Sequence, residues 1–224
     1  AKTIDHSVLK PDFKTSDVEA GAAIALKYDV ASYCIRPTDV PLAAKLLAGS
    51  TVPVCTVIGF PHGTTTSATK AFEAAEAVRN GATEIDMVIN VSALLSGDDA
   101  LVESDIRAVV EATHAAAREI GASASIKVIF ETSLLNDELI VKACELTEAA
   151  GADYVKTSTG FSSEGATVHN VRLMKSTVGD RLKVKSSGGV RTLDQLCDFM
   201  DCGVTRSGSS NTEAILAEFD AKAE

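Results

Sequence analysis

Four charged residues sit inside stretches that otherwise look like buried strands. Asp86 lies in "EIDMVIN", Lys127 in "IKVIFE", Lys156 in "DYVKTSTG" and Lys185 in "LKVKSSGG". An unpaired ammonium taken out of water is costly, and burial drives it toward the neutral form. A neutral lysine amine is a nucleophile, and a neighbouring cation favours that state further. With a carboxylate beside it to move protons, such an amine is equipped for Schiff-base chemistry on a carbonyl. A lone lysine in a strand is more often a snorkelling edge residue. Here, however, strand side chains alternate between two faces. Placing Ile85, Met87, Val128, Phe130, Val155 and Val184 outward turns Asp86, Lys127, Ile129, Glu131, Lys156 and Lys185 inward together. Lys156 and Lys185 then lie on adjacent strands, ~5 Å apart.

Positioning these groups requires strands whose inner faces converge. Eight β-rich runs recur, at 3–9, 30–35, 52–60, 83–90, 125–131, 153–160, 182–189 and 204–209. Between them lie alanine-rich helical patterns such as "SDVEAGAAIALKY", "SATKAFEAAEAVRN", "DELIVKACELTEAA" and "TLDQLCDFMDC". Asn80-Gly81, Gly151 and Gly203 supply helix stops. Helices of this length serve as crossovers, so the strands should be parallel. Eight such units predict an α/β fold, a (β/α)8 TIM barrel, with residues 1–224 as one domain. The alternative is an open doubly wound sheet, but no GxGxxG fingerprint follows an early strand.

Composition narrows the function classes. Asp+Glu number 31 against Lys+Arg 21, a formal net charge of −10, which argues against nucleic-acid or anionic-membrane binding. A local cluster of cations and amides can still hold a small phosphorylated ligand. The five cysteines (Cys34, Cys55, Cys144, Cys197, Cys202) form no CxxC pair, which points to a reducing compartment and away from disulfides or structural zinc. No signal-like pattern and no apolar run of about 18 residues occurs, so a soluble cytoplasmic protein is expected.

A second signal lies at the strand ends. "SSGGVRT" follows the seventh run and "SGSS" closes the eighth, while Gly160 ends the sixth. Glycines let backbone N–H groups approach an anion, and the last two loops of such barrels are a frequent phosphate site. Each glycine alone reads equally well as a turn. Of the four histidines, His62 in "GFPHGT" suits loop structure better than general-base work. His6 can hydrogen-bond beside Asp5, and His114 and His169 suit helix surfaces. The absence of HxH or HExxH spacing speaks against a zinc-dependent mechanism.

Taken in order, "IDHSVLKPD", "CTVIGFPHGTTT", "EIDMVINVSALLSGD", "KVIFETSLLNDE", "ADYVKTSTGF", "VKSSGGVRT" and "TRSGSS" resemble the deoxyribose-phosphate aldolase family, class I aldolases, from Ile4 to about Asn211. The resemblance implies cleavage of 2-deoxy-D-ribose 5-phosphate to glyceraldehyde 3-phosphate and acetaldehyde, with no metal or cofactor. It implies Lys156 as the Schiff-base lysine and Lys185 as the cation that favours its neutral form. Asp86 would belong to the proton relay, with Lys127 as a relay or hydroxyl-binding residue. Gly160, Gly188, Gly189, Gly208 and Ser209 match phosphate-binding positions, and Cys34 and Ser7 match positions near the substrate. Phe161 stands where some members carry a lysine, and Ser186 where alanine or proline is usual. The segment "AEFDAKAE" offers no tyrosine, so water or Asp86 with Lys127 is expected to carry the proton. Barrels of this kind often form homodimers, although no self-complementary patch is visible in the sequence. Two other readings stay open: a phosphate-binding barrel isomerase, and a non-catalytic sugar-phosphate sensor.

Overall fold

In a computed structural model, which describes residues 1–223, the strands close into a parallel barrel in sequence order. They are β1 (Ile4–Val8), β2 (Ser32–Ile35), β3 (Val54–Ile58), β4 (Glu84–Val88), β5 (Ser125–Ile129), β6 (Tyr154–Lys156), β7 (Lys183–Ser187) and β8 (Arg206–Ser209). Pairing of Ile4 with Ser207 and Asp5 with Gly208 joins β1 to β8, so no edge remains. The crossovers are α1 (Thr15–Tyr28), α2 (Val40–Leu46), α3 (Ser67–Arg79), α4 (Val91–Leu95) with α5 (Asp99–Glu119), α6 (Asp137–Ala150), α7 (Val168–Val178) and α8 (Leu193–Asp201). A last helix, α9 (Thr212–Ala223), follows β8. The predicted (β/α)8 barrel is what forms.

Local chemistry fixes these elements. In α6 the Asn136 side chain accepts from Leu139 N at 2.9 Å, and Asp137 and Glu138 oppose the helix dipole in the first turn. Gly151, at φ 84°, then ends the helix in the left-handed region that glycine tolerates best. Its buried face repeats at helical spacing through Ile140, Ala143, Cys144, Thr147 and Ala150. Small residues bring the helices close to the barrel. A Cβ at Gly21 would lie 2.6 Å from Val8 Cγ2 and 2.8 Å from Tyr33 Oη, which itself donates to Val18 O.

Two departures from the predicted runs matter for the site. β6 ends at Lys156; just beyond it Thr157 N still donates to Lys185 O at 3.1 Å, and side-chain hydroxyls join in, with Thr157 Oγ1 accepting from Ser187 N at 3.1 Å and Thr159 Oγ1 donating to Glu131. β5 stops at Ile129, and Glu131 adopts φ 58°. Strand alternation no longer governs Glu131, so its expected inward position becomes a loop position facing Thr159.

The main apolar core lies between strands and helices, whereas Cys34, Cys55 and Val57 form a separate small cluster with Leu9 and Phe60. One side of the barrel interior is therefore apolar. The other carries charge.

Candidate active site

Strand register brings the four predicted residues together. Lys156 pairs with Lys185 across β6 and β7, and Asp86 with Lys127 across β4 and β5. All four are buried, and Asp86 is the hub. Its Oδ2 accepts from Lys156 Nζ at 2.6 Å and from Lys185 Nζ at 2.7 Å, while its Oδ1 accepts from Lys127 Nζ at 3.0 Å. The Cys55 thiol donates to Oδ1 at 3.3 Å.

Three further charged residues complete the cluster. Lys127 Nζ also donates to Glu84 Oε2 at 2.6 Å, and Lys185 Nζ stands 2.6 Å from Asp5 Oδ2. Arg206 joins these two carboxylates, 2.6 Å from Asp5 Oδ1 and 3.0 Å from Glu84 Oε1. Sequence reasoning missed Asp5, Glu84 and Arg206 as members. The available signal was parity: each lies two residues before an inward position, Ser7, Asp86 or Gly208.

Asp86, Asp5, Lys127 and Lys185 are held ionised by their neighbours. Burial opposes the Asp86 carboxylate, but Lys127, Lys156 and Lys185 outweigh it and hold the group well below the usual carboxylate range. Burial likewise raises Asp5, yet Lys185, Lys127 and Arg206 bring it down to about 2. Burial works against Lys127 and Lys185, but the surrounding carboxylates, Asp86 first for Lys127 and Asp5 first for Lys185, hold both above the lysine range. Lys185 is thus a neutralised cation as well as a neighbour of Lys156.

Above this cluster opens a cavity of about 520 Å³ at the C-terminal mouth of the barrel. Lys156 and Lys185 form part of its lining, as do Ser7, Cys34, Gly160, Gly188, Gly189, Gly208 and Ser209. Asp86 and Lys127 do not line it; Asp86 connects to the cavity through the Lys156 and Lys185 amines, and Lys127 through Asp86. Gly160, Gly188 and Gly189 all hold φ between 81° and 83°. A Cβ at Gly188 would come within 2.8 Å of Gly165 Cα, whereas one at Gly189 would meet nothing within 4 Å. The Ser209 hydroxyl is already committed, donating to Val190 O at 2.6 Å and accepting from Asn211 N at 3.0 Å. Its backbone, beside the N-terminus of α9, is what remains for a ligand. Arg191 adds a cation to this end of the cavity.

The other singled-out residues fall outside the amine cluster. Phe161, 45% exposed, packs edge-on against Phe60 at 5.2 Å and borders both this cavity and a smaller one, of about 260 Å³, that holds His62 and Glu131. Ser186 is buried and shares a hydroxyl contact with Ser207 at 2.7 Å. His6 meets Thr212 at 2.9 Å, with burial pushing its imidazole down to about 4. His169 is exposed and meets Asp137 at 2.9 Å. Cys34, Cys55 and Asp86 bring three ligand atoms within 4.8 Å of one another, but the Asp86 oxygens already serve three amines. That donor set does not suit a metal cation.

Fold and site together define a (β/α)8 barrel with a lysine-centred cavity and a glycine cradle at its C-terminal mouth. Comparison with known proteins narrows this class. The family model for DeoC/LacD family aldolases matches residues 1–208, and the chain belongs to that family. A deoxyribose-phosphate aldolase from Bacillus cytotoxicus is 53% identical over 216 residues, covering 96% of this chain and 94% of that relative. Among solved structures, "QR15, an Aldolase" superposes with a TM-score of 0.91 at 39% identity, covering 99% of this chain and 96% of that one. A tetrameric deoxyribose phosphate aldolase from Aeropyrum pernix gives 0.89 at 28% identity, covering 99% and 91%.

Proposed function

We propose that this chain is a Schiff-base aldolase that reversibly cleaves 2-deoxy-D-ribose 5-phosphate to D-glyceraldehyde 3-phosphate and acetaldehyde, with Lys156 as the imine-forming residue. Family membership and the similarity to curated deoxyribose-phosphate aldolases support the reaction. The assignment of Lys156 rests on one observation, the way the amines share their counter-ions. Lys127 has Glu84 and Lys185 has Asp5, but among the described residues the only ion-pair partner of Lys156 is an Asp86 oxygen that Lys185 also occupies. Lys156 also lines the cavity, as Lys127 does not. It is the amine best placed to be neutral and to meet a carbonyl.

In cleavage, the Lys156 amine adds to the C1 aldehyde and loss of water gives the imine. Deprotonation of the C3 hydroxyl then breaks the C2–C3 bond, releasing the phosphorylated aldehyde and leaving an enamine. Protonation at C2 and hydrolysis free acetaldehyde and restore the amine. Asp86 Oδ2 bridges Lys156 and Lys185, so protons can pass between these centres without leaving the site. The glycine cradle at Gly160, Gly188, Gly189 and Gly208 receives the phosphate through backbone amides, with Arg191 nearby. Ser7 and Cys34 border the sugar.

The free cysteines fit a reducing cytoplasm, and among the described residues no helix is long and apolar enough to cross a membrane. Self-association, as a dimer or a larger assembly, is part of the proposal, supported by the tetrameric relative. The deciding experiment treats the protein with acetaldehyde and borohydride and maps the reduced adduct. We expect it on Lys156, and Lys156→Arg should be inactive though folded, because a guanidinium cannot form the imine. An adduct on Lys127 or Lys185 rejects the assignment. No adduct at all favours an isomerase or a sensor.

A further inference from the structure

The barrel interior carries an uneven set of charges. Its cations are Lys127, Lys156, Lys185 and Arg206, and its carboxylates are Asp5, Glu84 and Asp86. With every group ionised, one positive charge has no partner. Arg206 touches neither the cavity nor Asp86. It lies at the opposite end of the barrel, where its side chain is 18% exposed and its guanidinium spans Asp5 and Glu84.

We propose that Arg206 is a positioning residue that creates this surplus: by occupying Asp5 and Glu84 from the far end, it leaves Lys156 as the amine without a proton. This rests on the Lys156 reading above and extends it to a residue remote from the substrate. Without Arg206, three carboxylates face three lysines, and each lysine can keep its proton. With it, four cations meet three carboxylates, and one amine is left with the smallest share of them. A guanidinium cannot be that group, because it does not deprotonate in proteins. Lys127 lies between Glu84 and Asp86, and Lys185 between Asp5 and Asp86. Among the described residues, Lys156 has only its share of Asp86.

The groups around this set bring two free cysteines and a phenol. Toward Lys156, β4 presents Asp86, β5 Lys127, β7 Lys185 and β1 Asp5; on the β2–β3 side stand the free cysteines Cys34 and Cys55. Burial and the Cys34 contact hold the Cys55 thiol well above its usual range, hence protonated, whereas the same contact lowers Cys34. Toward Arg206, β1 presents Asp5, β4 Glu84 and β6 the phenol of Tyr154. Lys183, on β7, is exposed and stands over the Tyr154 ring at 5.4 Å.

The test uses acetaldehyde alone, because it carries no titrating group. Exchange of its methyl hydrogens with deuterium oxide is followed against pH in the whole enzyme. Exchange requires the neutral amine, so its rate falls as pH drops and the amine gains a proton. Arg206→Met should move this acid limb to higher pH by about one unit, the effect of one charge acting over roughly 10 Å at an effective dielectric near 20. Glu84→Gln enlarges the surplus and should move the limb down. The double variant restores a surplus of one charge and should return the limb toward wild type. Arg206→Lys should leave it in place. Structural damage does not produce opposite shifts that cancel in the double variant.

Limbs that stay fixed in both single variants, or move the same way, overturn the proposal. Should Arg206→Met fail to fold, a downward shift in Glu84→Gln with no shift in Arg206→Lys supports it, and any other pair of results overturns it. Borohydride trapping of acetaldehyde in each variant separates the two readings. Adducts on Lys156 with unmoved limbs reject the role of Arg206 alone. An adduct elsewhere rejects the Lys156 assignment itself.

Discussion

Replacing Asp86 with asparagine removes one charge and almost no volume. The carboxylate serves Lys127 through Oδ1 at 3.0 Å, and Lys156 and Lys185 through Oδ2 at 2.6 and 2.7 Å. An amide has one acceptor oxygen, and its NH2 would face a donor on the other side. Breaking a buried ionic network by removing one partner costs about 3–5 kcal/mol. For a chain of this size each kcal/mol shifts Tm by roughly 2–4 °C. The variant should therefore melt about 6–20 °C lower at neutral pH.

The carboxylate is held below its ordinary range in the fold. Its stabilisation is therefore complete above about pH 4 and is lost as pH falls through the folded value. The gap between the two melting temperatures should accordingly narrow toward acid. Loss of proton transfer should lower kcat for sugar-phosphate cleavage by roughly 10²–10⁴. Initial rates and calorimetry on the same preparation check both effects. Wild-type kcat in a variant that melts lower would reduce Asp86 to a counter-ion, and an unchanged Tm would refute the network energetics.

At the glycine cradle, Gly189→Val fills open space at a residue with φ 81°. KM for deoxyribose 5-phosphate should rise more than about tenfold, with little change for unphosphorylated deoxyribose, and equal losses for the two substrates would place the phosphate elsewhere. Away from the cavity, Lys70 Nζ donates to Asp105 at 2.6 Å and to Val88 O at 2.9 Å, joining α3 to α5 with both side chains buried. Lys70→Met strands the Asp105 carboxylate and should cost about 3–5 kcal/mol in denaturant unfolding. Adding Asp105→Leu should recover most of this loss, and a Lys70→Met protein as stable as wild type would show that the pair contributes nothing.

Strand parity was legible in the sequence because its period is exact: a residue two places from an inward position is also inward. That rule placed Asp86, Lys127, Lys156 and Lys185 on one interior before any fold was known. It failed where a strand ended early, as at Glu131, which turns to φ 58° and accepts from the Thr159 hydroxyl instead of continuing β5. It also could not show depth along the barrel axis. Asp86 and Lys127 share the inward face with Lys156 yet lie off the cavity, because strand tilt and stagger set the level of each residue. The same limit hid Asp5, Glu84 and Arg206, whose contacts span the barrel at separations such as 201 and 122 residues.

That blind spot changes the electrostatic argument. Read along the sequence, Lys185 is a bare cation beside Lys156, and its repulsion accounts for a neutral nucleophile. In the barrel it touches two carboxylates at 2.6 and 2.7 Å, so much of its field is cancelled where it arises. A single neighbour is then too little to explain a free amine. What remains is the imbalance of the whole cluster, four cations held by three carboxylates. An excess cation disfavours the charged form of its neighbours, and Lys156 is the lysine with the weakest claim on a carboxylate. Nucleophilicity at Lys156 is on this view a property of the set, so a charge removed at the far end of the barrel changes it from two strands away.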